Sequence, residues 1–264
     1  MEWIAVEVKG HVLRMWPDGG DEIRRGLNVG VTLASLVPEI EHTVSLQPHT
    51  RILATGVRVG APVTVPCKLA EPRHVPEVDP RLYVYPAVKQ DAPAGLIGYD
   101  VARLAGLLAR DPGFDGVACL IGSQTVWAQI SAEEVVSFQA AATSQMAHLF
   151  GAKLCTGTGF DDAMSDVIAR PQQLATRIAS LRSARTLGQL DEAAAQAELS
   201  GALIGAELAA MRPYWLGQRV AVIGDAGPVA IYTQALKAQG VMAEPHDGAA
   251  LALDGLHPKT PEPA

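Results

Sequence analysis

The residues from Glu198 to Gly240 read ELSGALIGAELAAMRPYWLGQRVAVIGDAGPVAIYTQALKAQG, and this stretch decides the predicted fold class. Apolar side chains recur at helical spacing as far as Met211, and we expect Pro213 to end the helix. Gly201 and Gly205 lie four positions apart and therefore share one face of that helix. Because each glycine destabilises a helix by about 1 kcal/mol, the pair indicates that another backbone or a ligand comes close there.

The second half of the stretch predicts a strand, a glycine turn and a further helix. Residues 219–223 form a β-branched run typical of a buried strand, residues 224–228 a turn, and residues 229–239 a helix. A strand that leads into such a turn can present backbone N–H groups to a phosphate. An ordinary α/β turn is the alternative, because the spacing of Gly224 and Gly227 is only a fragment of a dinucleotide-binding fingerprint.

Composition narrows the class of protein. The chain has 264 residues, 48% of them hydrophobic, which suffices for one large domain or two of about 130 residues. The net charge of −7 favours neither nucleic acid nor an anionic membrane as a partner. The three cysteines form neither a metal-binding spacing nor a disulfide framework, and the apolar runs are too short to span a membrane. Because Met1 does not open a signal-peptide pattern, we expect a cytoplasmic protein.

Two predicted β-hairpins organise the chain. The first covers residues 3–16 and the second covers residues 117–130, and helices follow each of them. A helix before Asp111-Pro112-Gly113 ends there, so this tripeptide is the predicted domain boundary. The pattern predicts two related α/β lobes, residues 1–112 and residues 113–264, with a cleft between them.

Two further predictions concern the second lobe. Ser131 and Glu134 have the spacing of a capping box, which predicts the start of a long helix over residues 132–150. The proline-rich tail, residues 257–264, is expected to be disordered.

Several residues of the C-terminal third together resemble a known family. The segment from Ser200 to Glu207 reads SGALIGAE, and Arg212, Gly224 and Tyr232 follow it at the expected places. This pattern resembles the 2-keto-3-deoxygalactonate kinases (2-dehydro-3-deoxygalactonokinases). The resemblance implies an α/β, two-lobe, actin-like (ribonuclease-H-like) fold with a central cleft, and it places the nucleotide-side scaffold in the C-terminal lobe.

The resemblance also implies an activity and its ligands. Members of the family transfer the γ-phosphate of ATP to a hydroxyl group of 2-keto-3-deoxygalactonate. For this chain, ATP and Mg²⁺ are therefore the implied cofactors, and a small-molecule sugar acid and a nucleotide are the implied partners. The resemblance implies neither nucleic acid nor a membrane as a partner, and a homo-oligomer stays open.

The first hairpin is the place where the family typically reads Asp-Trp-Gly-Thr-Thr-Asn-x-Arg. Here the matching residues run from Glu7 to Arg14, and only Arg14 is identical. Glu7 retains a carboxylate and is the implied catalytic and metal-binding residue, while the alternative is a solvated charge at the end of a strand. In this turn, the N–H groups of Lys9 and Gly10 are the implied hydrogen-bond donors to phosphate.

The second hairpin is the place where the family reads Pro-Gly-Thr-His-Ser-Lys-Trp. Here residues 121–127 match at Gly122 and Trp127, and Ser123 is a near match. The family's next motif, Thr-Gly-Glu, corresponds to residues 143–145, where an amide replaces the carboxylate. The implied cofactor-binding residues are thus Lys9, Gly10, Arg14, Gly122, Ser123, Gly205, Gly224 and Gly227.

The catalytic base is the least conserved part of the resemblance. The family's Gly-Glu-Glu-Thr-Gln corresponds to residues 91–95, where both glutamates are missing and Asp91 is the nearest acid. Asp161 lies beside Asp162 in a glycine-bounded loop and is a second candidate, although a helix N-cap would explain the pair equally simply.

Three hypotheses for the function follow from these substitutions. Phosphoryl transfer needs hydrogen-bond donors to the phosphates, a metal held by a carboxylate and a base at the accepting hydroxyl. All three motifs are altered here. The chain is therefore either a divergent sugar-acid kinase or a pseudokinase that binds a nucleotide or sugar acid in a regulatory role. The third hypothesis is a scaffold protein whose paired glycines serve helix packing alone.

Overall fold

The structure is a computed structural model that describes residues 1–258, and it divides into two compact units. The first unit comprises residues 1–114, 131–137 and the chain from residue 248; the second comprises residues 115–130 and 138–247. The expected boundary at residue 112 lies close to residue 114, where the chain first passes from the first unit into the second. The prediction did not include residues 131–137 and the chain from residue 248, which belong to the first unit again. Most of the tail expected to be disordered lies outside the described residues.

The first unit contains a mixed six-stranded β-sheet, a small sheet of three short strands, and helices. Its elements up to residue 110 are β1 (Trp3–Lys9), β2 (Val12–Pro17), β3 (Ile23–Gly26), α1 (Leu33–Glu41), β4 (Arg51–Thr55), β5 (Val63–Thr64), β6 (Cys67–Lys68), β7 (Arg73–His74), β8 (Leu82–Val84), β9 (Val88–Gln90), β10 (Gly95–Ile97) and α2 (Asp100–Arg110).

The second unit contains a comparable sheet and most of the helices. The elements from residue 116 onward are β11 (Gly116–Ile121), β12 (Thr125–Ser131), β13 (Glu134–Ala141), α3 (Thr143–Leu149), α4 (Phe160–Ala169), α5 (Leu174–Thr186), α6 (Glu192–Ala210), α7 (Arg212–Trp215), β14 (Val220–Gly224), α8 (Ala226–Ala238), β15 (Glu244–Asp247) and α9 (Gly248–Leu256). Of these, α9 and the first four residues of β13 belong to the first unit.

The two sheets share one strand order. The first sheet has the order β3-β2-β1-β4-β8 with β7 at the edge, and the second has the order β13-β12-β11-β14-β15 with β6 at the edge beside β13. In both, an antiparallel hairpin supplies the first two strands, and the fourth strand pairs in parallel with the first. Apolar runs explain the central strands, since every residue of β11 and β14 is buried.

Close helix pairs explain the glycines that interrupt α6. A Cβ atom on Gly205 would lie 2.6 Å from the Met164 carbonyl oxygen, and one on Gly201 would collide with the Phe160 carbonyl. The backbone of α4 therefore fills the face where a backbone or a ligand was expected, so Gly205 is a packing residue in this structure. In the first unit, Gly106 of α2 faces the backbone of α9 in the same way.

The predicted long helix over residues 132–150 is wrong. Ala132 and Glu133 have positive φ angles of 50° and 63°, which reverse the chain in a tight turn. Strand β13 follows, because Val135 and Phe138 can be buried from an extended backbone, and α3 begins only at Thr143. Ser131 is accordingly the last residue of β12 instead of a helix cap.

Smaller differences concern prolines and helix starts. Pro38 lies inside α1, and Pro213, which was expected to end the preceding helix, lies within the short helix α7. Strands β9 and β10 pair antiparallel, and the helix that was expected to end before Asp111 starts at Asp100. The predicted turn at 224–228 is short, because α8 already begins at Ala226. None of the helices in the described part of the chain is long and apolar enough to cross a membrane.

Candidate functional site

Two turns of the second unit lie side by side at the carboxyl ends of parallel strands. Strands β11 and β14 pair in register, with Leu120 opposite Ile223, so the turns that follow them are neighbours. A Cβ atom on Gly224 would lie 3.1 Å from the Ile121 carbonyl oxygen and 3.2 Å from its Cβ. Only a residue without a side chain fits there easily. In α/β sheets, ligands commonly bind outside this carboxyl edge.

The two turns offer different groups to a ligand. The N–H of Gly122 donates to the Gln124 carbonyl at 2.9 Å, so the hairpin itself uses it, and the side chains of Ser123 and Gln124 are exposed in the turn. Beyond Gly224, the first turn of α8 contains Gly227, where a Cβ atom would meet nothing within 4 Å. The start of this helix is therefore open to approach along the edge of the sheet.

An open hollow of about 540 Å³ lies beside the Ser123 turn. Its described lining consists of Ser123, Ser144, Gln145, His148 and Leu149. Hydroxyl, amide and imidazole groups can all donate hydrogen bonds to a carboxylate, a phosphate or a sugar hydroxyl. The described lining lacks a carboxylate, because Gln145 stands where the resemblance places a glutamate.

A buried polar cluster lies in the same unit, around Glu207. Its Oε1 accepts a hydrogen bond from the Trp127 indole at 2.8 Å. Its Oε2 accepts from the Tyr232 hydroxyl at 2.7 Å and from the hydroxyl of Thr143. The Tyr232 oxygen also lies 2.9 Å from the Thr125 hydroxyl. The carboxylate thus joins β12, α3, α6 and α8, and it fixes α3 beside the hairpin.

Burial sets the electrostatics of this cluster. It raises the pKa of the Glu207 carboxyl group, although the hydrogen bonds from Thr143, Trp127 and Tyr232 work in the opposite direction. Burial, together with the Glu207 charge, also raises the pKa of Tyr232 well above its usual range. The tyrosine is therefore a neutral hydrogen-bond donor at physiological pH.

In the first unit, the predicted metal ligand Glu7 is fully buried and paired with arginines. Arg103 donates to its two carboxylate oxygens, from Nε to Oε1 at 2.9 Å and from Nη2 to Oε2 at 3.2 Å. Arg14, opposite Glu7 in the β1–β2 pair, places Nη1 3.5 Å from Oε2 and its Nε 3.2 Å from Glu22. The alternative of a solvated strand-end charge is wrong, since Glu7 is 0% exposed.

Asp100 completes this buried cluster. Its Oδ1 lies 3.2 Å from Nη1 of Arg103. Burial raises the pKa of Asp100 to about 6, while the charge of Arg103 opposes the rise. Burial works against the charge of Arg103, but Asp100 and Glu7 outweigh it and keep the arginine pKa above its ordinary value. The guanidinium group is therefore permanently charged.

The turn of the first hairpin lies near this cluster. Lys9 is partly exposed and Gly10 has a φ of 61°, which a glycine adopts without strain. The Lys9 ammonium lies 5.9 Å from the ring centre of Tyr99, and the Arg103 guanidinium lies 4.9 Å from the same centre. The structure thus brings Lys9, Glu7 and Arg14 of the predicted site into one region.

The other two candidate catalytic acids lie on the surface. Asp91 is exposed and forms an ion pair of 2.9 Å with Lys89. Asp161 lies in the first turn of α4, exposed beside Asp162, and accepts a 3.3 Å hydrogen bond from the Gln234 amide. Gly159 is the N-cap of this helix, so the two aspartates occupy its first turn and do not cap it through a side chain.

Comparison with known proteins now assigns the family. Residues 54–258 match the model of a family described as DGOK, 2-keto-3-deoxy-galactonokinase. The chain belongs to this family. No curated protein sequence matches the chain.

Several solved structures are similar to this chain. A Sinorhizobium meliloti protein, provisionally assigned as a 2-dehydro-3-deoxygalactonokinase, has a TM-score of 0.82 and 23% identity over 96% of both chains. Component A of (R)-2-hydroxyglutaryl-CoA dehydratase from Acidaminococcus fermentans has a TM-score of 0.47 and 12% identity, covering 96% of this chain and 95% of its own. The activator of 2-hydroxyisocaproyl-CoA dehydratase from Clostridium difficile has a TM-score of 0.46 and 7% identity, covering 97% and 93%. The match to the Sinorhizobium meliloti protein confirms the predicted α/β fold class.

The Mg²⁺ ion that a galactonokinase implies does not fit the predicted carboxylate. Both oxygens of Glu7 already accept hydrogen bonds from Arg103, and a hard cation needs several free oxygen ligands. Within residues 1–258, three or more histidine, cysteine, aspartate or glutamate side chains do not come together in a group that could hold a metal.

Sequence reasoning missed Arg103 and Asp100 and gave no role to Glu207. The amphipathic pattern of α2 indicates a helix but does not show that an arginine lies on its buried side. Glu207 was part of the motif that carried the family resemblance, together with Tyr232, Thr143 and Trp127. Their contact in a single cluster shows that this motif is held together by buried hydrogen bonds.

Proposed function

We propose that this galactonokinase family member binds a sugar acid, or the phosphates of a nucleotide, and does not transfer phosphate at the rate of a working kinase. The observation that carries the proposal is the hollow beside Ser123, whose described lining includes Ser144, Gln145 and His148 and no carboxylate. Most of the exposed lining is apolar, and its few polar groups can donate hydrogen bonds to an anion that no carboxylate of the lining would repel.

The missing base supports binding without catalysis. Asp91 is exposed and paired with a lysine, and Asp161 is exposed on a helix, so neither carboxylate is buried or fixed by several partners as a preorganised base would be. Loss of a general base lowers a rate by about 10²- to 10⁴-fold. Loss of metal placement adds to this deficit, because phosphoryl transfer depends mainly on positioning and charge stabilisation.

A nucleotide would be bound at the paired strand ends. Gly224 lets the two turns approach each other, Gly227 leaves the start of α8 open, and Ser123 supplies a hydroxyl group at the hairpin. Backbone N–H groups at the start of α8 favour an anion through their dipoles.

A working kinase is the second candidate, and the family match over residues 54–258 favours it. In that case the chain would phosphorylate a 2-keto-3-deoxy sugar acid with ATP despite its altered motifs. Coupled detection of ADP release with 2-keto-3-deoxygalactonate, ATP and either Mg²⁺ or Mn²⁺ separates the two candidates. Turnover clearly above background would support the kinase and contradict the proposal.

Thermal unfolding in the presence of ligands tests binding. We expect the sugar acid, ATP or ADP to raise the melting temperature of the wild type, and Ser123→Ala to weaken this rise. Ser165→Ala, an exposed serine on α4 away from the hollow, is the matched control and should respond like the wild type. A wild type that is folded but responds to none of these ligands would favour the scaffold hypothesis instead.

A further inference from the structure

Glu7 and Arg103 form a buried, bidentate ion pair. The guanidinium meets the carboxylate through two bonds, at 2.9 and 3.2 Å, in the bidentate form that gives the strongest charge-assisted pairs. Both side chains are 0% exposed. A second cation, Arg14, stands 3.5 Å from the same carboxylate.

Such a carboxylate has no capacity left for a divalent ion. Mg²⁺ retains several waters and demands near-ideal octahedral geometry, which a fully buried pair does not provide. A metal ion would also have to displace Arg103, and the displaced guanidinium would remain buried beside Asp100 alone. Removing one partner of a buried ion pair is strongly unfavourable.

We propose that Arg103 is a built-in cation that takes the place of a divalent metal ion on the β1 carboxylate. Glu7 is held in its position by a side chain of the same chain, whereas the family resemblance assigns its place to a metal ligand. Arg103 is fixed for this role by α2, by the Asp100 carboxylate and by the Tyr99 ring, which lies 4.9 Å from the guanidinium.

If Arg103 replaces the metal ion, ligand binding should not depend on Mg²⁺. Close to the cluster, Lys9 supplies the positive charge of the first hairpin turn, 5.9 Å from the ring of Tyr99. If the proposed function holds, we expect the affinity for a nucleotide to be the same with Mg²⁺ and with EDTA, because Glu7 would contribute no metal site. That statement rests on the proposed function, whereas the replacement of the metal by Arg103 does not.

The replacement is tested without any nucleotide by Mn²⁺ binding. Electron paramagnetic resonance of free Mn²⁺ measures how much metal the protein removes from solution. We expect the wild type and Glu7→Gln to leave the Mn²⁺ signal unchanged. Stoichiometric Mn²⁺ binding by the wild type that Glu7→Gln abolishes would overturn the proposal.

Removal of the built-in cation should create a need for a metal. Arg103→Met leaves Glu7 with only Arg14, and we expect its melting temperature to fall by about 10 °C. Added Mn²⁺ should raise it again by several degrees and should bind with Glu7-dependent stoichiometry. Arg110→Met on the same helix removes an exposed partner of Asp254 and is the matched control, with a small change and no response to Mn²⁺.

A second variant covers the case in which Arg103→Met does not fold alone. The double variant Glu7→Gln with Arg103→Met removes both charges, so we expect it to fold without metal and to ignore Mn²⁺. Recovery of folded Arg103→Met only when Mn²⁺ is present would support the proposal. If the double variant folds while the single variant gains nothing from Mn²⁺, a metal cannot replace Arg103 and the proposal is wrong.

Discussion

The indole Nε1 of Trp127 donates a 2.8 Å hydrogen bond to Oε1 of Glu207, and both side chains are buried. The bond connects the second hairpin with the long helix α6, two parts of the chain that carry the family resemblance. A buried carboxylate is stable only when its oxygens are satisfied, and here Trp127, Tyr232 and Thr143 do so. The cluster therefore fixes the hairpin turn at which we propose that ligands bind.

The raised pKa of Glu207 predicts a pH dependence of stability. In the folded protein burial favours the protonated form, relative to an ordinary value of 4.5. The stabilisation that comes from protonated Glu207 is fully present below the pKa that this group has in the unfolded chain. It is lost as the pH rises through the higher pKa of the folded protein. The free energy of unfolding of the wild type should therefore fall with rising pH in this window, relative to Glu207→Gln.

Urea unfolding at several pH values measures this difference. The difference in the free energy of unfolding should shift in favour of Glu207→Gln as the pH is raised from below 4.5. Glu192→Gln, which removes an exposed carboxylate from the same helix, is the matched control. Parallel stability curves for the wild type and Glu207→Gln would show that the carboxyl group is not perturbed by burial.

The sequence predicted both hairpins and the helix–strand–helix unit at the C-terminal end, because these elements have strong local signals. The β-branched runs indicate β11 and β14, and the spacing of apolar residues indicates α6, without reference to any other part of the chain. The helix over residues 132–150 was predicted wrongly for the same reason. Ser131 and Glu134 have the spacing of a capping box, but a turn with two positive φ angles and the burial of Val135 and Phe138 outweigh it.

The surroundings of the predicted site residues depend on tertiary contacts. The two glycine turns at Gly122 and Gly224 are neighbours because β11 and β14 pair in parallel, a pairing that the sequence analysis did not predict. The partner of Glu7 was missed for the same reason, because Arg103 lies 96 positions away and reaches it only through tertiary packing of α2. A single sequence shows the type of a charged residue but not whether a counter-charge is folded against it.

Tyr85 is predicted to anchor the C-terminal helix of the first unit. Its hydroxyl group donates a 2.8 Å hydrogen bond to the carbonyl of Gly255 in α9, and burial raises its pKa to about 12. Tyr85→Phe should lower the free energy of unfolding by about 0.5–1.5 kcal/mol, since a carbonyl loses its partner.

Thermal unfolding checks this change, with Tyr83→Phe as the control from the same strand region. Tyr83 stacks on His74, with ring centres 4.6 Å apart, and the phenylalanine ring retains that contact. We expect the control to be close to the wild type. Equal melting temperatures for Tyr85→Phe and the wild type would mean that the bond to Gly255 contributes nothing to stability.

The contact between α6 and α4 gives the sharpest steric prediction. In Gly205→Ala the new methyl group would lie 2.6 Å from the Met164 carbonyl oxygen, a backbone atom that cannot move away as a side chain could. We expect a loss of about 1–3 kcal/mol in the free energy of unfolding, the usual effect of overpacking. This outweighs the gain of up to about 1 kcal/mol that alanine brings to a helix.

Gly227→Ala makes the same chemical change where space is available, because a Cβ atom there meets nothing within 4 Å. It should leave stability unchanged or raise it by up to about 1 kcal/mol, since alanine restricts the unfolded chain. Urea unfolding of both variants separates the two roles of glycine in this unit. If Gly205→Ala were as stable as Gly227→Ala, α4 would not lie against α6 as closely as described. If Gly227→Ala kept its stability but lost the thermal shift with ATP, the open start of α8 would be the part of the edge that phosphate needs.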